Sequence, residues 1–380
     1  MKYCRLVYFG MLAWWLLWAA LFYFVLGNEI AKGYTSGMDW WAVVADSCPG
    51  GVCNGREIGV QFVYRITFML LIFHLVIGLL SIGAESSSPG VFMAIHRQGM
   101  PWKFLAQLVL WFAFTCIPSV AFKYINYITG IFAGFYVIAQ FVVLMETAYR
   151  LNEHLLGGGA KSGPAIAYAV IVYLGALAVL VVGFYYSIDA ALSETLAPIT
   201  LAEALGIMVT AAVLVVVCFV VTLLIETATI IASSTVSLAL ASHACLIVCQ
   251  IMHRRCAAGA LCPESFITGI QSFELVLLAA TAFFGAISMI SVSVLFGAAK
   301  TKYSEYEGYD SGDDEETKTP SYAYYGFHVV CMALACYLTV IFSADPEMPY
   351  CLGIGTALGS LLYIWTLVAP RLLPDRDFGV

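Results

Sequence analysis

The chain has 380 residues, of which 62% are hydrophobic and only 11% charged, with a formal net charge of −7. A water-soluble domain carries about 25% charged residues, so lipid must solvate much of this chain. The acidic balance excludes a nucleic-acid binder, which needs a basic patch, and about ten spans of roughly 20 residues would leave no room for a sizeable soluble domain.

Ten apolar segments follow in chain order, at roughly 6–27, 60–83, 103–122, 124–155, 165–187, 200–225, 227–252, 266–297, 322–343 and 350–370. The first is too long for the apolar core of a signal peptide, and no small-x-small cleavage site closes it, so it reads as a retained span. All are longer than the alternating stretches of about ten residues that build membrane β-barrels, and helices satisfy their own backbone polar groups in lipid. The expected fold class is therefore an all-α polytopic membrane protein of about ten transmembrane helices. Segments 124–155 and 266–297 would each extend about 48 Å at 1.5 Å per residue, more than the roughly 30 Å hydrocarbon layer, so they must tilt or project into water. Residues 298–321 form the one long polar stretch, rich in Tyr, Gly and acids, and read as a disordered loop. Within it Ser304 and Ser311 precede acids at i+3, a pattern for acid-directed phosphorylation, although a solvated acidic linker is the simpler reading. The chain then divides into a first helical bundle (1–123), a long connecting helix (124–155), a second group of helices (156–297), the acidic loop (298–321) and a C-terminal helix pair (322–380).

Placing the N-terminus in the cytosol puts Lys2, Arg5, Arg97, Lys103, Arg150, Lys161, Lys300, Lys302, Lys318, Arg371 and Arg376 on that side. Lys32, Arg56, Lys123, Arg254 and Arg255 fall outside, so the bias favours both termini in the cytosol. Cys48, Cys53, Cys256 and Cys262 all land in outer loops, where disulfides persist; four free thiols or a zinc site are the alternatives, and spacing does not give the pairing. Cys218 and Cys331 lie in apolar runs and read as packing residues.

Ionisable residues inside a membrane are costly and are candidates for function. They are Arg65, His74, Glu146, Glu226, His243, Glu274 and His328, with pairing inside the bundle, for example Arg65 to a glutamate, as the plainer account. Glu226, Thr229, Ser233 and Ser237 follow i, i+3, i+7, i+11 and share one helix face. They could wall a groove for a lipid headgroup or polar solute, or bond to carbonyls of their own and neighbouring helices. Gly130/Gly134 and Gly355/Gly359 have the spacing of close helix crossings. Gly157–Ser162 lacks the order of a phosphate loop, Asp377-Phe378-Gly379 stands without other kinase elements, and no hydrolase, metalloprotease or EF-hand motif occurs. No cofactor, metal or catalytic residue is expected.

The C-terminal Leu362-Tyr363-Ile364-Trp365-Thr366-Leu367-Val368-Ala369-Pro370, followed by Asp375-Arg376-Asp377-Phe378, resembles the closing signature of the serine incorporator family. Tyr322-Ala323-Tyr324-Tyr325-Gly326-Phe327-His328 is similar to that family's entry into its penultimate helix. Val63-Tyr64-Arg65, Glu85-Ser86-Ser87-Ser88-Pro89, Glu146 with Asn152-Glu153, and Ser233-Ser234 add to the resemblance. Relatives usually have Asp at the position of Glu146, and many carry a Cys-rich N-terminal segment and outer-loop glycosylation sites that this sequence lacks. The resemblance implies two helical bundles joined by a long diagonal helix. It implies membrane phospholipids as partners, with serine and lipid-synthesis enzymes behind a role in phosphatidylserine and sphingolipid synthesis. Some relatives are described as lipid scramblases, some form oligomers, and some animal members restrict retroviral infectivity. The expected function is non-enzymatic lipid handling in endomembranes or the plasma membrane. A secondary transporter of serine or another small polar solute and a membrane scaffold are the alternatives. Candidate groove residues are Glu226, Thr229, Ser233 and Ser237, with Arg65, Glu146, Glu274 and His328 as a charged framework.

Overall fold

The computed structural model describes residues 2–34, 55–82, 99–156, 163–192, 198–225, 229–257, 262–263, 265–282, 284–285, 288, 322–343 and 348–372. Every regular element among them is helical. Helix α1 (Lys2–Leu21) runs through a π-helical turn (Phe22–Leu26) into α2 (Gly27–Tyr34). There follow α3 (Gly55–Ile82), α4 (Met100–Thr115), α5 (Ser119–Leu156), α6 (Gly163–Leu192), α7 (Pro198–Leu224) and α8 (Ile230–Ala257). The last are α9 (Ser265–Ala282), α10 (Tyr322–Ile341) and α11 (Met348–Leu372). Among the described residues, eight stretches are long and apolar enough to cross a membrane, the first joining α1 to α2. The protein is an all-α polytopic membrane protein.

One boundary differs from the sequence reading. The apolar run 103–122 is not a single segment: α4 ends at Thr115 and α5 begins at Ser119. Pro118 explains the break, because it offers no N–H to an upstream carbonyl and its ring disfavours helical geometry at Ile117. Hydropathy continues unchanged through these residues and gives no sign of it. The start at Ser119 makes α5 38 residues long, about 57 Å, so the mismatch with the bilayer is larger than expected. Of 266–297, the described residues show α9 and helical residues at 284–285 and 288; the remainder, the 298–321 stretch, Cys48, Cys53 and Glu226 lie outside the described residues.

Contacts divide the chain into two compact units, and neither is one continuous stretch. Unit 1 comprises Met1–Ala133 with Met289–Asp345, and unit 2 Gly134–Ser288 with Pro346–Val380. The first boundary falls inside α5. In unit 1, α10 packs along α3, where Thr339 Oγ1 donates to Thr67 Oγ1 at 2.8 Å and Tyr64 and Ser343 hydroxyls meet at 2.8 Å. Trp15 Nε1 donates to Gln107 Oε1 at 2.9 Å, joining α1 to α4, and Phe22 stacks on Phe62 at 4.4 Å.

Unit 2 is arranged around α8. Of its spanning window 89% is buried, against 22% for α6 and α7. Helices α6 and α7 turn side chains such as Ile171, Leu174, Val181, Val213 and Leu223 outward, as hydrocarbon-facing surfaces should. Their inward residues are small: Ala169 and Ala176 on α6 and Ala204 and Ala211 on α7 are buried, as are Ala232 and Ala239 on α8, which packs against both helices. Without a hydrophobic drive between helices in lipid, such close van der Waals packing is what holds them. The closest crossing is between α5 and α11, where a Cβ on Gly355 would sit 2.6 Å from the Gly134 carbonyl oxygen and one on Gly359 2.9 Å from the Phe141 ring. Gly355→Leu is therefore expected to destabilise unit 2 by about 1–3 kcal/mol, seen as a lowered unfolding midpoint in detergent; an unchanged midpoint would mean the crossing is loose.

Candidate functional site: a cleft bracketed by polar groups

The buried ionisable residues do not form one charged framework. Arg65 of α3 has no exposed surface. Its guanidinium donates to the Gln61 carbonyl at 2.8 Å, to the Ile117 carbonyl at 2.8 Å and to Ser119 Oγ at 3.2 Å, over the Phe122 ring at 4.8 Å. The expected glutamate partner is replaced by carbonyls, and the reason is local. The break at Cys116–Pro118 takes carbonyls out of the helical ladder, and the planar fork of an arginine reaches one of them, Ile117, together with the Gln61 carbonyl of its own helix. Glu146 of α5 is half exposed and pairs with Arg150 one turn on, at 2.9 Å. Glu274 of α9 is buried and lies 3.2 Å from His253 Nδ1 of α8, just before the Cys256–Cys262 bridge. His243 faces the Ala239 carbonyl of its own helix at 2.8 Å, and His328 meets His74.

The polar stripe of α8 resolves into two roles. Thr229 precedes the first helical residue, and its Oγ1 accepts from the Ala232 N–H at 3.3 Å, which is helix capping. Ser233 and Ser237 are fully buried, so they line no open groove. The Tyr173 hydroxyl of α6 lies 2.6 Å from Ser233 Oγ, which in turn donates to the Cys218 carbonyl of α7 at 3.1 Å. Thr222 Oγ1 donates to that same carbonyl at 2.7 Å. Ser237 Oγ and the Tyr363 hydroxyl of α11 lie beside this chain of bonds without a well-formed bond of their own.

The same face of α8 continues as Leu240, Ala244 and Ile247, seven residues beyond Ser233, Ser237 and Leu240 respectively. These three form one wall of a partly open cleft of about 450 Å³. Its other walls are Gly206, Ile207, Thr210 and Leu214 of α7 and Gly353, Ile354 and Ala357 of α11. At one end, near the starts of α7 and α11, the Tyr350 hydroxyl donates to Glu203 Oε2 at 3.0 Å. Helices α7, α8 and α11 thus carry a polar pair, then an apolar cleft, then the hydroxyl cluster of Thr222, Ser233 and Tyr363. The volume falls within the range of small-molecule sites, roughly 300–1,000 Å³.

Sequence reasoning found Ser233 and Ser237 but not their partners. Tyr173, Thr222 and Tyr363 sit singly in apolar runs, and a lone hydroxyl in a span carries no sign of what it meets. Glu203, near the start of the sixth apolar run, was the one signal available for the cleft mouth.

Stacked apolar helices of this length and inward-turned polar groups define a polytopic helical membrane protein. A family model described as Serine incorporator (Serinc) matches residues 2–238, well over half the chain, and the chain belongs to the serine incorporator family. A Dictyostelium discoideum protein named "Probable serine incorporator" is 36% identical over 96 residues, 25% of this chain and 22% of that protein. The alignment thus spans less than a quarter of that relative's length. No solved structure matches the chain.

Ser233→Ala should cost about 1 kcal/mol, because it removes the partner of the half-buried Tyr173 hydroxyl. Tyr173→Phe made in the same chain should recover part of that loss, giving a coupling above about 0.5 kcal/mol in a double-mutant cycle read by unfolding in detergent.

Proposed function

We propose that this protein is a non-enzymatic lipid handler that admits a phospholipid acyl chain into the α7–α8–α11 cleft. By that means it supports synthesis of serine-derived lipids, phosphatidylserine and sphingolipid, or moves phospholipid between leaflets. The observation that carries this reading is the order of surfaces along the three helices. A polar pair stands at the cleft mouth and apolar walls follow, the pattern of an amphiphile. The Glu203 carboxylate is matched to the ammonium that serine, ethanolamine and choline headgroups carry, and the Tyr350 hydroxyl to their phosphate oxygens. Burying apolar chain surface in the cleft replaces lipid by protein contacts at little net cost, so the gain lies in giving the headgroup polar partners on the way. Serine and the enzymes that use it, self-association, and cytosolic termini in endomembranes or the plasma membrane complete the proposal.

The test uses the full chain in liposomes holding a fluorescent phospholipid, with exchange between leaflets followed by quenching of the outer leaflet. Wild type should exchange lipid faster than empty vesicles. Gly206→Trp should slow that by roughly tenfold, equivalent to about 1.4 kcal/mol, because a side chain at Gly206 meets no atom within 4 Å of its Cβ and fills the cleft without a backbone clash. No acceleration by wild type, or a filled cleft that works as fast, would remove the reading.

A further inference from the structure

Unit 1 holds a pair of buried imidazoles that the lipid reading does not use. His74 of α3 and His328 of α10 face each other with their Nδ1 atoms 2.9 Å apart. Their ring centroids are 5.2 Å apart, and the residues are 2% and 0% exposed. At that separation one Nδ1 carries a hydrogen and the other presents its lone pair; two N–H groups would clash and two lone pairs would repel. One ring of a neutral pair is therefore the Nδ1–H tautomer, whose Nε2 is left with a lone pair.

That lone pair can take up one further proton without disturbing the contact. The donor ring becomes imidazolium, the pair goes from neutral to a single positive charge, and the bond becomes a charge-assisted N⁺–H···N bond of greater strength. A second proton would have to enter at the facing lone pair and would break the bond. The pair therefore takes one proton more readily than two, and the shared bond offsets part of the burial cost of that charge.

The surroundings enclose the site. Phe73 packs on His74 at 5.3 Å and Phe327 on His328 at 5.4 Å, rings that exclude water. The titratable groups facing the pair from other helices are Tyr8 of α1, edge-on to His328 at 5.3 Å, and behind it Lys103 of α4, whose Nζ lies 5.1 Å over the Tyr8 ring. Arg56 and Tyr23 lie at the other end of α3. Tyr8, Lys103 and His328 each sit within the first two turns of their helices, so the cluster lies toward the end of unit 1 where α1, α4 and α10 begin, and all of it is buried.

We propose that His74 and His328 form a proton-binding site of unit 1, which takes up one proton and shares it across the α3–α10 contact. The proton comes from solvent and returns to it, so the step needs no other reactant. The inference does not depend on the lipid reading.

The test is nitrogen NMR of the full chain in detergent with ¹⁵N-labelled histidine. Near neutral pH the wild type should show one of the two rings as the Nδ1–H tautomer and an N–N coupling between them. On acidification both rings should move in one joint step with the coupling retained. His328→Gln should abolish the joint step and displace the His74 midpoint by about one pH unit or more, and His74→Gln should do the same to His328. Both rings in the Nε2–H tautomer without coupling, two independent steps, a titration indifferent to loss of the partner, or a stoichiometric metal ion held between the rings would each overturn the proposal. If neither variant folds, the wild-type tautomer and coupling decide it alone.

Discussion

A peptide group inside hydrocarbon has no water to bond, so each N–H and C=O must find a partner within the protein. That requirement is why the described elements are helices, and it also governs where the helices stop. At Cys116–Pro118 the ladder is interrupted inside an apolar run, and the carbonyls released there must be answered. Arg65 answers them: one guanidinium reaches Ile117 across the break and Gln61 on its own helix. A buried cation is expensive, and surrounding it with carbonyl dipoles and the Phe122 face rather than with a carboxylate spares the cost of burying a second charge. The charge in the second span is best understood as the companion of the proline between α4 and α5.

The same rule separates the polar residues of unit 2 by what they satisfy. Thr229 caps a helix start, Ser233 and Thr222 converge on the Cys218 carbonyl, and His253 meets Glu274. Each turns inward, and α8, the helix richest in such groups, is the most buried. Helices α6 and α7 show the converse, large apolar side chains outside and small ones inside. Hydrophobic surface and buried core exchange places relative to a water-soluble protein, and buried polarity becomes the mark of an interior helix.

How much of this the sequence disclosed depends on the kind of signal. Long apolar runs need only a sum over neighbours, and the membrane class and helix positions follow from it. The overlength of α5 was readable for the same reason; its true start was not, because Pro118 acts through geometry and not through hydropathy. Gly355 was readable as a crossing point from its spacing, but its meeting with Gly134 required the fold. The expectation that Arg65 would find a glutamate assumed that opposite charges seek each other. In a span the unsatisfied carbonyl competes for the same donor, and at a helix break it is nearer. Tyr173, Tyr363, Glu203 and Tyr350 come together only through tertiary packing, so no local pattern could assemble them. The interleaving of 289–345 with the N-terminal helices is likewise a property of contacts, with no trace in chain order.

The features of α8 that looked separate in the sequence belong to one surface. Ser233 and Ser237 lie on the face that continues through Leu240, Ala244 and Ile247 into the cleft, so the helix passes from hydroxyls to apolar wall without turning. Its neighbours keep step: α7 runs from Glu203 through Gly206 to Thr222, and α11 from Tyr350 through Gly353 to Tyr363. Three helices with the same polar, apolar, polar order are more than chance packing requires, since small apolar residues throughout would hold them together equally well. What the order adds is an apolar path with a polar pair at its mouth and a sealed hydroxyl cluster beyond it. The glycines at Gly206 and Gly353 keep that path from being filled by the protein's own side chains.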